Sequence, residues 1–353
     1  MKKIIASLLL IFLLLPCALC ACGKKTEKFS EYSFDYFDTA TTITGYANSQ
    51  EDFDKTSNDI LAELEEYHKL FTIYNRYDGL ENLCTINDLV DGAHRVVTVD
   101  QRIIDMLVYA KDMYTKTGGQ LNIAMGSVLS IWHDYRSRGM SDPYSAEIPS
   151  QDALTKAAQH TDINDLIIDE KNRTVYLADP EMTLDVGGIA KGYAVEMIAR
   201  ALEKKGVSGY VLNVGGNVRT IGVKGDGEKW LAGIENPVDS EEEPYIAYLA
   251  LSGDSLVTSG SYQRYYTVNG KKYHHIIDAD TLMPAEGYLS VSIVCNSSAL
   301  ADALSTALFC MPYEDGLALI EATDGAEAMW VFENEDKKFS SGFSNYLTEL
   351  PQK

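Results

Sequence analysis

Cysteine is scarce in this 353-residue chain, and what there is has the wrong spacing for a scaffold. Of six, Cys17, Cys20 and Cys22 crowd the N-terminus, leaving Cys84, Cys295 and Cys310 far apart with no CxxC between them. That leaves room for one bridge at most. It excludes a disulfide framework and a cysteine-built metal site, and the three thiols read as small buried hydrophobes. Basic residues are short as well: 30 Lys+Arg stand against 52 Asp+Glu, a formal charge of −22. Such a field repels nucleic-acid backbones and anionic lipid, so no nucleic-acid partner is expected. An acidic chain that uses an anionic nucleotide must neutralise it locally, most cheaply with a metal ion. Past residue 30 the chain has no Pro/Ser/Gly-rich linker and no repeat, and its nine prolines are scattered. With 46% hydrophobic and 23% charged residues it can bury a core and is not a disordered chain.

The long apolar run, Ile4 to Leu15 behind Lys2 and Lys3, is shorter than the ~20 residues of a comfortable membrane span. It reads as a targeting segment and is set aside from the fold. Leu19-Cys20-Ala21-Cys22-Gly23 resembles a bacterial lipobox, with small Ala21 before a Cys that polar residues follow at once. The expectation is a lipoprotein signal peptide over 1–21 and lipidated Cys22 as the mature N-terminus. That places the protein at the cell membrane, lipid-anchored and facing outside the cytoplasm. Cys20 fits less well, since Leu19 would take the small-residue position; an ordinary signal peptide or an uncleaved anchor is the plainer alternative. Residues 22–30 then read as a tether and 31–350 as one catalytic unit, of one lobe or two.

Periodicity supplies the elements. Tyr32 to Ala47 alternates and is Thr-rich, hence strand. Phe53 to Phe71 and Gln101 to Thr117 carry apolar residues on one helical face, as does the stretch after Gly188, which stops at Gly206. Residues 210–212, 218–222, 230–234, 245–251, 256–258, 289–294 and 328–332 read as strands, and 299–310 and 313–322 as helices. Hairpin-like strands mixed with helices, without βαβ alternation, predict an α+β fold: mixed, largely antiparallel sheets with packed helices.

Five segments carry chemistry. Leu184-Asp185-Val186-Gly187-Gly188 opens a helix with Lys191 in its first turn, where glycines allow close approach and the helix start attracts anions. Capping by Asp185 and a tight turn would explain the same residues. Asn213-Val214-Gly215-Gly216-Asn217 is a second glycine pair after a strand, and Thr258-Ser259-Gly260-Ser261-Tyr262 a hydroxyl-rich turn. In Tyr273-His274-His275-Ile276-Ile277-Asp278 the neighbouring histidines point to opposite strand faces, so they make no metal pair. Finally, Asp302, Ser305 and Thr306 share one face of an otherwise apolar helix. They form part of an oxygen shell for a hard cation such as Mg2+, or else cap and back-bond locally.

In this order, with Phe37-Asp38-Thr39, Phe71-Thr72-Ile73-Tyr74 and Gly118-Gly119-Gln120-Leu121-Asn122-Ile123, these segments resemble the bacterial FAD:protein FMN transferases, the ApbE-like flavin transferase lipoproteins. The likeness covers roughly residues 32 to 347. It implies Mg2+ held by the Gly188 carbonyl, Asp302 and Thr306, with Ser305 an adjunct. It implies FAD, the substrate, on Phe37, Tyr74, Gln120, Leu121, Asn122, Asp185, Lys191 and Ile277. His275 or Asp278 would take the proton of an acceptor protein's Ser/Thr hydroxyl, with Lys191 stabilising charge as AMP leaves. Two departures stand out. The family usually has Asp-Pro-x-Thr-Gly-x-Pro where this chain reads Asp278-Ala279-Asp280-Thr281-Leu282-Met283-Pro284, and Asn122 stands where many relatives have Asp. The rival readings are an Mg2+-dependent FAD hydrolase and a non-enzymatic flavin-binding surface lipoprotein.

Overall fold

The computed structural model describes residues 26–238 and 240–349. The expected signal peptide and Cys22 lie outside them. Eight strands form the central sheet: β1 (Glu27–Ser33), β2 (Thr41–Ala47), β3 (Tyr210–Val214), β4 (Asn217–Ile221), β5 (Ser255–Gly260), β6 (Tyr288–Cys295), β7 (Glu327–Phe332) and β8 (Lys337–Phe339). They lie side by side in chain order, and every neighbouring pair is antiparallel. The α+β expectation holds, and long insertions between the strands carry the helices.

Those helices are α1 (Gln50–Phe71), α2 (Gln101–Lys116), α3 (Gly126–Ser141), α4 (Ala190–Lys204), α5 (Ser298–Cys310) and α6 (Tyr313–Glu321). In α1, Ser49 caps the start by accepting from Asp52 N–H, and Phe53, Ile60, Leu64, Tyr67 and Leu70 form the buried stripe. α5 is apolar nearly all round because it runs between the sheet and α4. Glu196 of α4, fully buried, accepts from Arg219 Nε of β4 at 3.2 Å and from Ser298 N–H at the start of α5 at 2.8 Å. One carboxylate therefore fixes the sheet and both helices together. The other sheet face is covered by a hairpin, Trp230–Glu235 with Tyr245–Leu251, whose Ile234, Leu249 and Leu251 pack on Leu256, Val294 and Val331.

A second, smaller core joins α3 to the short helix Gln151–Ala157 and to the hairpin Tyr265–Val268/Lys271–His274, around Trp132, Tyr266 and Leu282. Three expectations need correction. The strand predicted over 32–47 is two strands, because Phe37 and Asp38 take left-handed backbone (φ +54° and +50°) and turn the chain. β1 starts at Glu27, inside the stretch read as a tether, since alternation puts Phe29 inward, 5.6 Å from Phe53. Helix α3 was not foreseen at all: no side chain caps its start at Met125.

Candidate active site

Between the two cores lies a cavity of about 510 Å³. One wall is the approach to α4. Asn87 clamps Leu184 through both backbone groups (2.8 and 2.9 Å), and Asp185 N–H donates to Ile123 O. The Asp185 carboxylate accepts from Gly187 N–H at 2.8 Å. It shapes the turn before the helix rather than capping α4, whose N-cap is Ile189. Burial holds its carboxyl above the usual range, against the Gly187 bond and the pull of His133, Arg136 and Lys191.

Where α4 meets α5, two i, i+4 pairs face each other. A Cβ on Gly192 would sit 2.3 Å from Asp302 Cβ, and one on Gly188 would sit 3.2 Å from the Thr306 methyl. At Gly192 only glycine permits this approach; at Gly188 a methyl would need the Thr306 side chain to give by a few tenths of an ångström. Gly192 N–H would bond the Gly188 carbonyl in a continuing helix, but it donates instead to Asp302 Oδ2 at 2.8 Å. The switch releases the Gly188 carbonyl beside Asp302 and Thr306, and all three residues line the cavity. Burial raises the Asp302 carboxyl, opposed by Lys191, Gly192 N–H and the Asn217 amide. A cation would favour its ionised form. Among the described residues no cluster of three or more His, Cys, Asp or Glu could hold a metal alone. One carboxylate, one hydroxyl and one carbonyl fit Mg2+, a hard cation that keeps waters and substrate phosphates in its shell. Ser305 faces elsewhere: its hydroxyl bonds Ser259 Oγ (2.9 Å) and the Asp302 carbonyl (3.0 Å).

The remaining walls gather most of the other residues singled out above. Tyr74, Gln120, Leu121, Asn122, Lys191, His275 and Ile277 all line the cavity. Both ends of the Asn122 amide are engaged, Nδ2 donating to Thr161 O and Oδ1 accepting from Ala124 N–H. A carboxylate there could not make the first of these bonds. Phe37 does not line the cavity. It lies edge-on to His68, 5.6 Å between ring centres, with its N–H donating to His68 Nδ1, and its turn instead presents Asp38 and Thr39.

The histidines point apart. His274 bonds Ala285 O at 2.8 Å on the far side, while His275 faces the cavity with Nδ1 buried and unpartnered. Burial, then Arg264 and Arg136, pull the His275 pKa down to about 3. The imidazole is therefore neutral at physiological pH, with Nδ1 free to accept a hydrogen bond. In the free protein its ring signal in an NMR titration should stay constant between pH 5 and 8; a midpoint near 6.5 would contradict this environment. Asp278 does not line the cavity, and its Oδ1 accepts from Asp280 and Thr281 N–H at 2.9 and 2.7 Å. These bonds hold the departing loop in shape, and Leu282 takes φ +61° where the family pattern has glycine. Its side chain packs into the smaller core and its carbonyl accepts from Trp132 Nε1.

Among the cavity residues that escaped the sequence reading are His133 and Arg136 on α3, and Arg264 after β5. The spacing of Val128 and Trp132 was the available signal for α3. Taken as a whole, the fold and cavity bring together a glycine-opened helix start, a group of oxygen donors, a lysine and two arginines, a lining suited to an extended anion.

The chain belongs to the ApbE family, whose model matches residues 37–330. It is 32% identical over 268 residues to an FAD:protein FMN transferase of Treponema pallidum, covering 72% of each chain. It is 31% identical over 282 residues to one from Klebsiella pneumoniae, covering 77% of this chain and 84% of that one. The crystal structure of the ApbE protein from Thermotoga maritima superposes with a TM-score of 0.79 at 27% identity, over 92% of this chain and all of that one.

Proposed function

We propose that the protein transfers FMN from FAD to a Ser/Thr hydroxyl of an acceptor protein, with Mg2+, at the outer face of the membrane. The observation that carries this is the paired helix contact, Gly188 and Gly192 against Asp302 and Thr306, opening on a cavity that also holds His275 and Lys191. The Gly188 carbonyl, Asp302 and Thr306 would hold the ion, which supplies charge neutralisation on the pyrophosphate. Neutral His275 takes the acceptor hydroxyl proton as its oxygen bonds to the FMN phosphorus. The bridging P–O bond breaks, and AMP leaves with the bonding electron pair. Tyr74, Leu121 and Ile277 offer aromatic and aliphatic surface to the flavin and adenine rings.

Incubation with FAD, Mg2+ and an acceptor bearing a Ser/Thr flavinylation segment tests the reading, with in-gel flavin fluorescence as readout. A fluorescent acceptor band that chelation abolishes supports it; free FMN and AMP beside an unlabelled acceptor would mean that water is the acceptor.

Lys191 tests the anion site. Its Nζ lies 3.4 Å from Gly187 O, at the helix start and at the cavity. Lys191→Ala should weaken FAD about ten- to a hundredfold, the loss of one charge-assisted hydrogen bond, and leave riboflavin alone. Calorimetry with both ligands decides, and an equal loss for the two rejects a phosphate contact.

Membrane attachment rests on Ala21-Cys22. Cys22→Ser should abolish labelled-palmitate incorporation and leave the protein unprocessed or released. Label that persists would move the lipid to another cysteine.

A further inference from the structure

The cavity carries positive charge on two walls. Lys191 sits at the start of α4; Arg136 and Arg264 come from α3 and from the loop after β5. Among the described residues neither arginine is within ion-pair distance of a carboxylate, in a chain of net charge −22. Arg136 is half-buried, with Nη2 3.1 Å from His133 Nδ1. A guanidinium can only donate, so His133 Nδ1 is the acceptor in this contact. The His133 ring packs in turn on Tyr74, 5.5 Å between centres. Arg136 is thus aimed by His133, and its charge remains available to a ligand.

On the transferase reading above, the reaction has a direction. In-line displacement puts the attacking hydroxyl and the departing AMP on opposite sides of the FMN phosphorus. The group that takes the hydroxyl proton lies on the attacking side, and His275 shares a wall with both arginines: Arg264 and His275 flank the paired residues Tyr265 and His274 of the hairpin, which packs on α3, whereas Lys191 belongs to α4. We infer that Arg136 and Arg264 hold the FMN-side phosphate, the group that is transferred, while Lys191 and the start of α4 hold the adenylate-side phosphate. A planar guanidinium can bond two phosphate oxygens at once and follow them as the phosphorus inverts, which an ammonium cannot do.

Binding of FMN, AMP and riboflavin to the full chain without metal tests this. Arg264 is exposed, so Arg264→Ala should leave the fold intact; Arg136→Lys keeps the charge and removes the fork. Each should weaken FMN about tenfold or more and leave AMP and riboflavin unchanged, whereas Lys191→Ala should weaken AMP and spare FMN. Equal losses for FMN and AMP in the arginine variants, or unchanged FMN affinity, would overturn the assignment of the two phosphates while leaving the transferase reading intact. A wild-type chain that binds neither FMN nor FAD would overturn that reading, and this assignment with it.

Discussion

Asp302→Ala is expected to abolish Mg2+-dependent FMN transfer while leaving the protein folded. The lost carboxylate is the one charged oxygen donor beside the Gly188 carbonyl and Thr306, so several kcal/mol of transition-state stabilisation should go with it. That corresponds to roughly a thousandfold or more in rate. Stability should move little. Burial already disfavours the ionised carboxylate, and Gly192 N–H, which it now accepts from, can turn to the Gly188 carbonyl and continue the helix. Asp302→Asn should behave alike in turnover, since it keeps the shape and loses the charge. Turnover with FAD and thermal melting of the same samples check both halves. Wild-type-like rates in Mg2+ or Mn2+ would remove the metal assignment.

Gly192→Ala is expected to be nearly as damaging by a different route. The new methyl would lie 2.3 Å from Asp302 Cβ and 2.4 Å from the Ser298 carbonyl, both on α5, so the helices must part. Overpacking of this kind costs about 1–3 kcal/mol of stability. A displacement of order 1 Å at Asp302 should cost about a hundredfold in turnover. Gly188→Ala meets its nearest atom, the Thr306 methyl, only at 3.2 Å and should lower the melting temperature less. A reversed order of the two melting temperatures would show that the α4–α5 contact is not the tight one.

The sequence makes the long amphipathic elements plain, because burial on one side leaves a period. Phe53 to Phe71 and Gln101 to Lys116 form as expected, and Gly206, at φ +79°, stops the chain after α4. Helix α3 was hidden because one side of it lines the cavity, so His133 and Arg136 interrupt the apolar pattern around Val128 and Trp132. The break between β1 and β2 was hidden because the left-handed turn uses Phe37 and Asp38, not glycine. At the site, Asp302 and Thr306 are local in sequence and could be read as a pair. Gly192, 110 residues away, could not be assigned to Asp302, because only the packing of α4 on α5 brings the N–H to the carboxylate. Arg264 looks like any surface arginine in sequence, since the absence of a carboxylate partner is a tertiary fact.

The most direct test of the account is a count of products in one reaction holding FAD, Mg2+ and an acceptor segment with a single Ser/Thr. Chromatography measures AMP released, and intact mass measures FMN bound to the acceptor. One AMP per FMN attached, with both lost in Asp302→Ala, is the expected result. AMP matched by free FMN over an unmodified acceptor, or no AMP at all, would contradict transfer.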